Sequence, residues 1–168
     1  MMILNFIEAI LKGTPFWFWI ILIYVIKKGL DYRKEGVVSV KRAFLIPVIF
    51  IGGGIAQSFG LGYQLDSLMT YLAALIVGAC FGIVLYSANQ TFYMKDNVFT
   101  RRGSWLPMFI ILANFIVKDF FNVYLSLDAN ILSSLTFNIV YSILAGLAGG
   151  LILGGALNTV RKKKTMMA

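Results

Sequence analysis

Residues 105–127 read WLPMFIILANFIVKDFFNVYLSL, an apolar run long enough to cross a bilayer as one helix. Lys118 and Asp119 stand side by side inside this run. At about 1.5 Å per residue, Lys118 is about 20 Å of helix from Trp105, or about two-thirds of the way across a hydrocarbon layer of about 30 Å. The run therefore predicts a membrane-spanning helix that carries two charged side chains inside the bilayer.

The two charges nearly cancel the insertion energy of the apolar residues around them. On insertion scales a central Lys or Asp costs about 2.5–3.5 kcal/mol, whereas each Leu, Ile, Phe or Val returns about 0.3–0.6 kcal/mol. Charged groups in a membrane generally face a bundle interior or a wet cavity rather than lipid. Asn114, Lys118 and Asn122 recur at every fourth residue and so share one stripe of the helix, with Asp119 about 100° away. The stripe is therefore predicted to face other helices.

The composition indicates an all-α, polytopic membrane protein with a single membrane domain over residues 1–168. The chain is 60% hydrophobic and only 13% charged, and its mean hydropathy is +0.84. It has no His and one Cys, Cys80, which excludes a disulfide within the chain and any metal, haem or acid–base site built on His. We therefore expect no cofactor, no metal and no enzymatic activity.

Hydrophobic runs and loop residues predict five spans and two smaller elements. The spans lie at about 15–30, 43–59, 68–86, 105–127 and 132–157, and Pro47 is expected to kink the second. The helical period of residues 1–11 predicts an N-terminal helix that lies in the membrane interface. The segments TFYM and VFTR flank Asp96-Asn97, which predicts a small β-hairpin, with an interfacial coil as the alternative.

The basic residues predict the orientation of the spans. Residues 27–42 contain six Lys and Arg, the hairpin loop has three, and the tail Arg161–Lys164 has four. The loops at 60–67 and 125–131 have none. Because positive loops stay in the cytoplasm, the N-terminus is predicted outside, and the hairpin and the C-terminus in the cytoplasm. This distribution also explains the net charge of +8 without a nucleic-acid partner.

With this orientation, polar residues of three spans fall at one depth in the outer half of the bundle. We expect them to line a hydrated, outward-facing pocket that binds or passes a small polar solute or ion. Asp119 would accept an ion or proton, and Lys118 would balance the charge or bind an anionic group. The alternative is ordinary hydrogen bonding between helices, with Lys118 extending to the outer surface. The candidate site residues are Lys118, Asp119, Asn114, Asn122, Gln57, Asn138 and Ser142.

Small residues recur at every fourth position in two spans, an arrangement that lets helix backbones approach closely. We expect the third and fifth spans to pack together within one chain, with a homodimer interface as the alternative. An accessory or assembly subunit that packs against other membrane proteins is the second functional hypothesis. The small residues are Ala74, Gly78 and Gly82 in the third span and Gly146, Gly150 and Gly154 in the fifth.

Other partners and activities follow less directly from the residues. The lipid bilayer is the main partner, and the basic loops and tail could bind anionic lipid head groups. An intramembrane enzyme is the third hypothesis, but a Ser nucleophile would depend on Lys118 as its base, and the spacing shows no such pair.

Three short motifs resemble a bacterial family of small inner-membrane proteins with no assigned activity. They are Thr14-Pro15 followed by Trp17, the segment RAFLIP at 42–47, and the segment RGSWLP at 102–107. The resemblance implies a multi-pass protein of the bacterial inner membrane with five helices and a hairpin on the inside. It implies no activity and no catalytic residue.

Overall fold

The computed structural model describes residues 34–127 and 129–167, together with residues 23, 26, 27 and 30. The predicted interfacial helix and most of the first predicted span lie outside these residues. The backbone of 122–127 is described as helix, but the side chains of residues 119, 122–127 and 129 are not described.

The described part of the chain is mostly helical. The helices are α1 (Val40–Ala43), α2 (Leu45–Ser58), α3 (Gln64–Asn89), α4 (Leu106–Leu127) and α5 (Leu135–Met167). A 3₁₀ helix, Ala129–Ser133, precedes α5. The strands are β1 (Gly36–Val37), β2 (Phe92–Lys95) and β3 (Val98–Arg101).

Three helical stretches are long and apolar enough to cross a membrane. They are Val40–Ser58, which joins α1 and α2, then Gln64–Asn89 and Leu135–Met167. The apolar stretch Leu106–Lys118 of α4 is shorter. Helix α3 is longer at both ends than the predicted span of 68–86. Helix α5 ends well beyond the predicted limit of 157, because its helix continues through the basic tail.

Helix α5 forms the centre of the bundle. Helices α2, α3 and α4 all pack against it, and α3 makes the most extensive contact. More than half of the α5 span is buried, compared with about a tenth of the α1–α2 span. The last predicted span, rather than the charged fourth one, therefore supplies the core.

The contact between α3 and α5 consists of two rows of small residues that face each other. Gly146 lies against Ala74, and Gly154 lies against Gly82, so the two helices run parallel. A Cβ at Gly150 would lie 2.7 Å from the backbone nitrogen of Ala79, too close for any side chain. The glycines therefore set how closely the two helices approach.

The start of α2 follows from Pro47. This residue has no N–H to donate to the carbonyl of Ala43, four positions earlier, and its ring would crowd that carbonyl. Helix α1 ends at Ala43, Phe44 forms a turn, and α2 begins at Leu45. The distortion expected from Pro47 therefore lies at the beginning of the span.

The predicted hairpin is present and belongs to a larger sheet. Strands β2 and β3 are joined by Asp96 and Asn97, whose φ angles of 51° and 62° fit the type I′ turn of a two-residue hairpin. The rings of Phe92 and Phe99 stack with their centroids 5.1 Å apart. Strand β1, from the first long loop, pairs antiparallel with β3 and completes the sheet in the order β1-β3-β2.

The connections collect at two ends of the bundle. The sheet, α1 and the C-terminal part of α5 form one end, which we call the basic end because it includes Arg161–Lys164. Loop 59–63 and the 3₁₀ helix form the neutral end, where the backbone N–H of Gly62 donates to the carbonyl of Leu132 at 3.2 Å. The predicted orientation requires this grouping, and the side of the membrane on which each end lies stays a prediction.

Candidate functional site

Lys118 extends from α4 towards the middle of α2. Its Nζ lies 5.2 Å from the centroid of the Phe50 ring. A Cβ built on Gly53, one turn after Phe50, would lie 3.9 Å from the same nitrogen. Phe50 and Gly53 occupy the central turns of α2, so the ammonium lies at mid-depth in the bundle rather than at the neutral end.

The Phe50 ring offsets only part of the cost of placing this charge in the bundle. A cation over an aromatic face gains about 0.5–1 kcal/mol when exposed and about 2 kcal/mol when desolvated. A central Lys costs about 2.5–3.5 kcal/mol on insertion scales. The Lys118 side chain is half-buried. A second polar or charged partner is therefore needed to make this position favourable.

Asn114 lies one turn before Lys118 on the same stripe of α4. Its side chain is only 1% exposed, and neither Nδ2 nor Oδ1 has a hydrogen-bond partner among the described residues. An unpaired buried polar group costs about 1–3 kcal/mol. Asn114 therefore offers both a donor and an acceptor inside the bundle, one turn along α4 from Lys118.

Two of the predicted polar residues lie on α5 and have different surroundings. The Nδ2 of Asn138 donates to the carbonyl of Leu132 at 3.1 Å, and the N–H of Gly62 donates to that same carbonyl. Asn138 thus helps to close the neutral end. Ser142 is buried, and its hydroxyl has no partner within the described part of the chain.

The packing of α4 on α5 sets the depth of Ser142. Phe121 of α4 contacts Tyr141 of α5 edge-on, with ring centroids 4.9 Å apart. Because Ser142 follows Tyr141, it lies close to the level of Lys118 and Phe121 along the bundle. The hydroxyl of Tyr141 is also buried without a described partner.

The remaining predicted residues divide between the neutral end and the undescribed side chains. Gln57 is half-buried in the last turn of α2, nearer the neutral end than Lys118 is. Asp119 and Asn122 belong to α4, but their side chains lie outside the described residues. The structure thus places Lys118 beside α2 and Asn114 in the interior, while Asn138 serves the neutral end.

Two aromatic residues that the sequence analysis did not single out are central to this region. Phe50 faces Lys118, as described above. Tyr71 of α3 lies on Gly54 of α2, and its hydroxyl donates to the carbonyl of Ile51 at 3.4 Å. The same hydroxyl would lie 3.4 Å from a Cβ at Gly149, so Tyr71 connects α3 with both α2 and α5. Nothing in an apolar helix distinguishes such an aromatic residue from one that faces lipid.

A separate cavity of about 60 Å³ lies at the basic end, where α2, α3, α4, α5 and β3 meet. Its polar lining includes Gln90, Arg101 and Thr159. Among the described residues no group of three His, Cys, Asp or Glu could hold a metal ion. The cavity at the basic end is a second candidate site, and its polar lining consists of one arginine and uncharged polar groups.

The chain belongs to the family of unknown function DUF6622, which it matches over residues 3–166. No curated protein and no solved structure matches the chain. Membership in an uncharacterised family agrees with the resemblance drawn from the three short motifs.

Proposed function

We propose that this member of an uncharacterised family binds or passes a small polar solute or ion at Lys118, in a polar pocket between α2 and α4. The observation that carries the proposal is the ammonium of Lys118 at mid-depth, 5.2 Å from the Phe50 ring. A charge at this depth in a membrane helix generally marks a pathway for a solute, an ion or a proton.

The chemistry next to Lys118 favours an anion or a polar solute that carries a negative group. The fixed positive charge attracts such a group, and the unpaired amide of Asn114 supplies further hydrogen bonds. In this proposal Asp119, the next residue along α4, accepts an ion or proton when no anion is bound. Lys118 then balances the charge of Asp119 in the empty site.

Glycines on α2 leave room for a solute near the ammonium. A Cβ at Gly53 would be 3.9 Å from Nζ, and nothing lies within 4 Å of a Cβ at Gly52. Both residues are exposed in the described part of the bundle. Larger side chains at Gly53 would extend into the space beside Lys118.

We further propose that the protein has five spans in the bacterial inner membrane, with the neutral end outside. The grouping of the basic residues at one end supports this orientation. The three helical stretches that are long and apolar enough to span support membrane insertion. The pocket at Lys118 would then open towards the outside, through the neutral end.

Ion flux through reconstituted protein tests the proposal. Purified protein is placed in phosphatidylcholine vesicles that contain a chloride-sensitive dye or a pH-sensitive dye. We expect the wild type to carry chloride or protons faster than protein-free vesicles. Replacing Lys118 with Met, or Asp119 with Asn, should lower this rate at least about tenfold, the effect of about 1.4 kcal/mol.

The matched control for the flux measurement is Lys95→Met. Lys95 is an exposed lysine of the hairpin, so its replacement removes the same charge away from the proposed pocket. The Lys95→Met protein should conduct like the wild type. A wild-type rate equal to that of empty vesicles contradicts the passage of these ions, and a Lys118→Met protein as active as the control contradicts the role of Lys118.

An accessory or assembly role is the alternative function. The glycine rows first considered for it face each other inside the chain, between α3 and α5. A partner would therefore bind another surface, and the α1–α2 span, of which only about a tenth is buried, offers the largest share of unburied helix. Isolation of the protein from its native membrane in a mild detergent would recover a stoichiometric partner if this role applies.

A further inference from the structure

The cavity at the basic end lies where the ends of several elements converge. Pro47 in the first turn of α2 and Pro107 in the first turn of α4 lie on its wall, and Tyr86 and Gln90 approach from the end of α3. Strand β3 contributes Arg101, and α5 contributes Thr159. The cavity thus lies near the membrane surface, on the side that carries the basic loops.

Three polar groups face this cavity among apolar walls. Gln90 is only 6% exposed, and its Oε1 has no hydrogen-bond partner among the described residues. The hydroxyl of Thr159, also 6% exposed, donates to the carbonyl of Gly155 at 2.9 Å, which leaves its oxygen able to accept. Arg101 is half-buried and lies on the cavity wall. The unpaired Oε1 of Gln90, on the wall of the cavity, indicates a missing hydrogen-bond donor such as a bridging water.

The charge of Arg101 decides which kind of partner fits. Helices α2 and α4 begin at the cavity, and α3 ends there, so their dipoles partly cancel. Arg101 is the one charged residue among the described residues that line the cavity, and the planar donors of its guanidinium match the oxygens of phosphate and carboxylate. The amide of Gln90 can present either its NH₂ group or its oxygen, and so can bind an oxyanion directly or through a water molecule.

The size of the cavity is also suitable for a small group. A cavity of about 60 Å³ is several times the roughly 10–15 Å³ that one water requires on the same measure. It therefore has room for roughly four waters, or for one tetrahedral oxyanion. A larger solute, such as a nucleotide base, would not enter without movement of the helices.

We propose that this cavity is an oxyanion site in which Arg101 and Gln90 bind a phosphate group at the cytoplasmic surface of the membrane. The phosphate is either that of an anionic lipid head group or a free phosphate ion. The site is separate from the one at Lys118, so either can exist without the other.

Thermal unfolding of the full-length protein in lipid nanodiscs tests this inference, because a ligand that binds only the folded state raises the unfolding midpoint. One arm titrates inorganic phosphate into phosphatidylcholine nanodiscs. The other arm replaces phosphatidylcholine with increasing fractions of phosphatidylglycerol. We expect at least one of the two to raise the midpoint of the wild type in a saturable manner.

Two neighbouring arginines provide a matched pair of variants. Arg101→Gln removes the charge that lines the cavity, whereas Arg102→Gln removes an exposed charge from the next residue. The apparent affinity should fall at least about tenfold in Arg101→Gln and by no more than about twofold in Arg102→Gln, because only Arg101 is placed to make charge-assisted hydrogen bonds in the cavity. Gln90→Met keeps every charge and should weaken binding too, so it decides the question if Arg101→Gln does not fold.

Each result has a defined meaning. Arg101-dependent stabilisation by inorganic phosphate identifies a free oxyanion as the ligand, and stabilisation by phosphatidylglycerol alone identifies the lipid phosphate. Both results support the site. A wild-type protein whose unfolding midpoint responds to neither probe overturns the proposal. An equal loss of affinity in Arg101→Gln and Arg102→Gln also overturns it, as does an unchanged affinity in Gln90→Met.

Discussion

The contact between Tyr71 and Gly54 shows how single residues position the helices around Lys118. A Cβ at Gly54 would lie 2.5 Å from Cζ of the Tyr71 ring and 2.6 Å from Cε2. The ring is only 1% exposed and belongs to the same buried cluster as Phe121 and Tyr141. It therefore cannot move aside without disturbing α5 and α4. Gly54 allows α2 to approach α3, and so it also helps to place Phe50, on the same helix, against Lys118.

Replacing Gly54 with Ala should destabilise the protein by about 1–3 kcal/mol, the usual cost of an extra carbon in a well-packed core. The thermal midpoint, followed by circular dichroism in detergent, should fall by about 2–4 °C for each kcal/mol. Gly52→Ala is the control, because a Cβ at Gly52 meets nothing within 4 Å and Ala favours the helix.

A double variant tests whether Tyr71 is the cause. If the ring creates the clash, Gly54→Ala should cost less in a Tyr71→Leu background than in the wild type, since the two residues are in contact. If the Gly54→Ala protein is as stable as the Gly52→Ala protein, the Tyr71 ring does not fill the space next to Gly54.

Lys118 shows what a single sequence can and cannot predict about a site. The charge in an apolar run indicates a functional or paired residue, and four-residue spacing places Asn114 on its stripe. The partner on the facing helix, Phe50, could not be predicted, because one of many apolar residues faces Lys118 only after the helices pack. Asn138 was included for its depth alone, and its bond to the carbonyl of Leu132 depends on the course of the loop at the neutral end.

At the scale of elements, the rows of small residues determine the pairing of α3 with α5. Backbone atoms of one helix lie where a side chain on the other would have to fit, as the 2.7 Å distance from a Cβ at Gly150 to the nitrogen of Ala79 shows. A backbone atom cannot turn away as a flexible side chain can. Substitution here must therefore separate the two helices.

We expect Gly150→Ala to lower the thermal midpoint clearly, because its Cβ would also lie 2.9 Å from the carbonyl carbon of Gly78. Gly149→Ala, at the adjacent position, is the control. Its Cβ would meet only the hydroxyl of Tyr71, at 3.4 Å, which a small shift relieves. Thermal unfolding of the two proteins side by side provides the measurement, and equal midpoints would argue against a close α3–α5 contact.

Only the hairpin of the sheet at the basic end could be predicted from the sequence, and strand β1 could not. The turn residues Asp96 and Asn97 tolerate positive φ, and apolar residues flank them, so the hairpin could be read from the sequence. Strand β1 has only two residues, Gly36 and Val37, and no alternation long enough to indicate a strand. Strand β1 forms because the first loop and the hairpin lie at the same end of the bundle and β3 has a free edge. The alternative of an interfacial coil in place of the hairpin is wrong, because β2 and β3 pair antiparallel.

At the scale of the whole molecule, the two ends and the central helix give the fold its asymmetry. Helix α5 is buried by its neighbours, whereas α2 and α3 keep apolar faces that suit contact with lipid. The basic end holds the sheet and the cavity of about 60 Å³, and the neutral end is closed by the bonds to Leu132. The continuation of α5 through Lys164 was not predicted, because a hydropathy pattern ends with the apolar residues whereas the helix continues through the charged ones.

The proposed function requires that the charge of Lys118 lies in a water-accessible pocket inside the bundle and that this pocket opens towards the neutral end. A lipid-facing thiol does not ionise and reacts slowly with water-soluble reagents, whereas a thiol in a wet pocket reacts readily. The native Cys80 is exposed on α3 and must first be replaced by Ser. Ile116 of α4, which is 60% exposed, then serves as the lipid-facing reference on the same helix.

The most direct measurement is the reaction rate of Lys118→Cys and Ile116→Cys with a small, membrane-impermeant thiol reagent added to intact cells. We predict that the cysteine at 118 reacts at least about tenfold faster than that at 116, because only the former meets water. The same cysteine should react much more slowly in inverted vesicles, where the basic end faces the reagent. Equal, slow reaction of both cysteines would contradict the pocket, and faster reaction in inverted vesicles would contradict its outward opening.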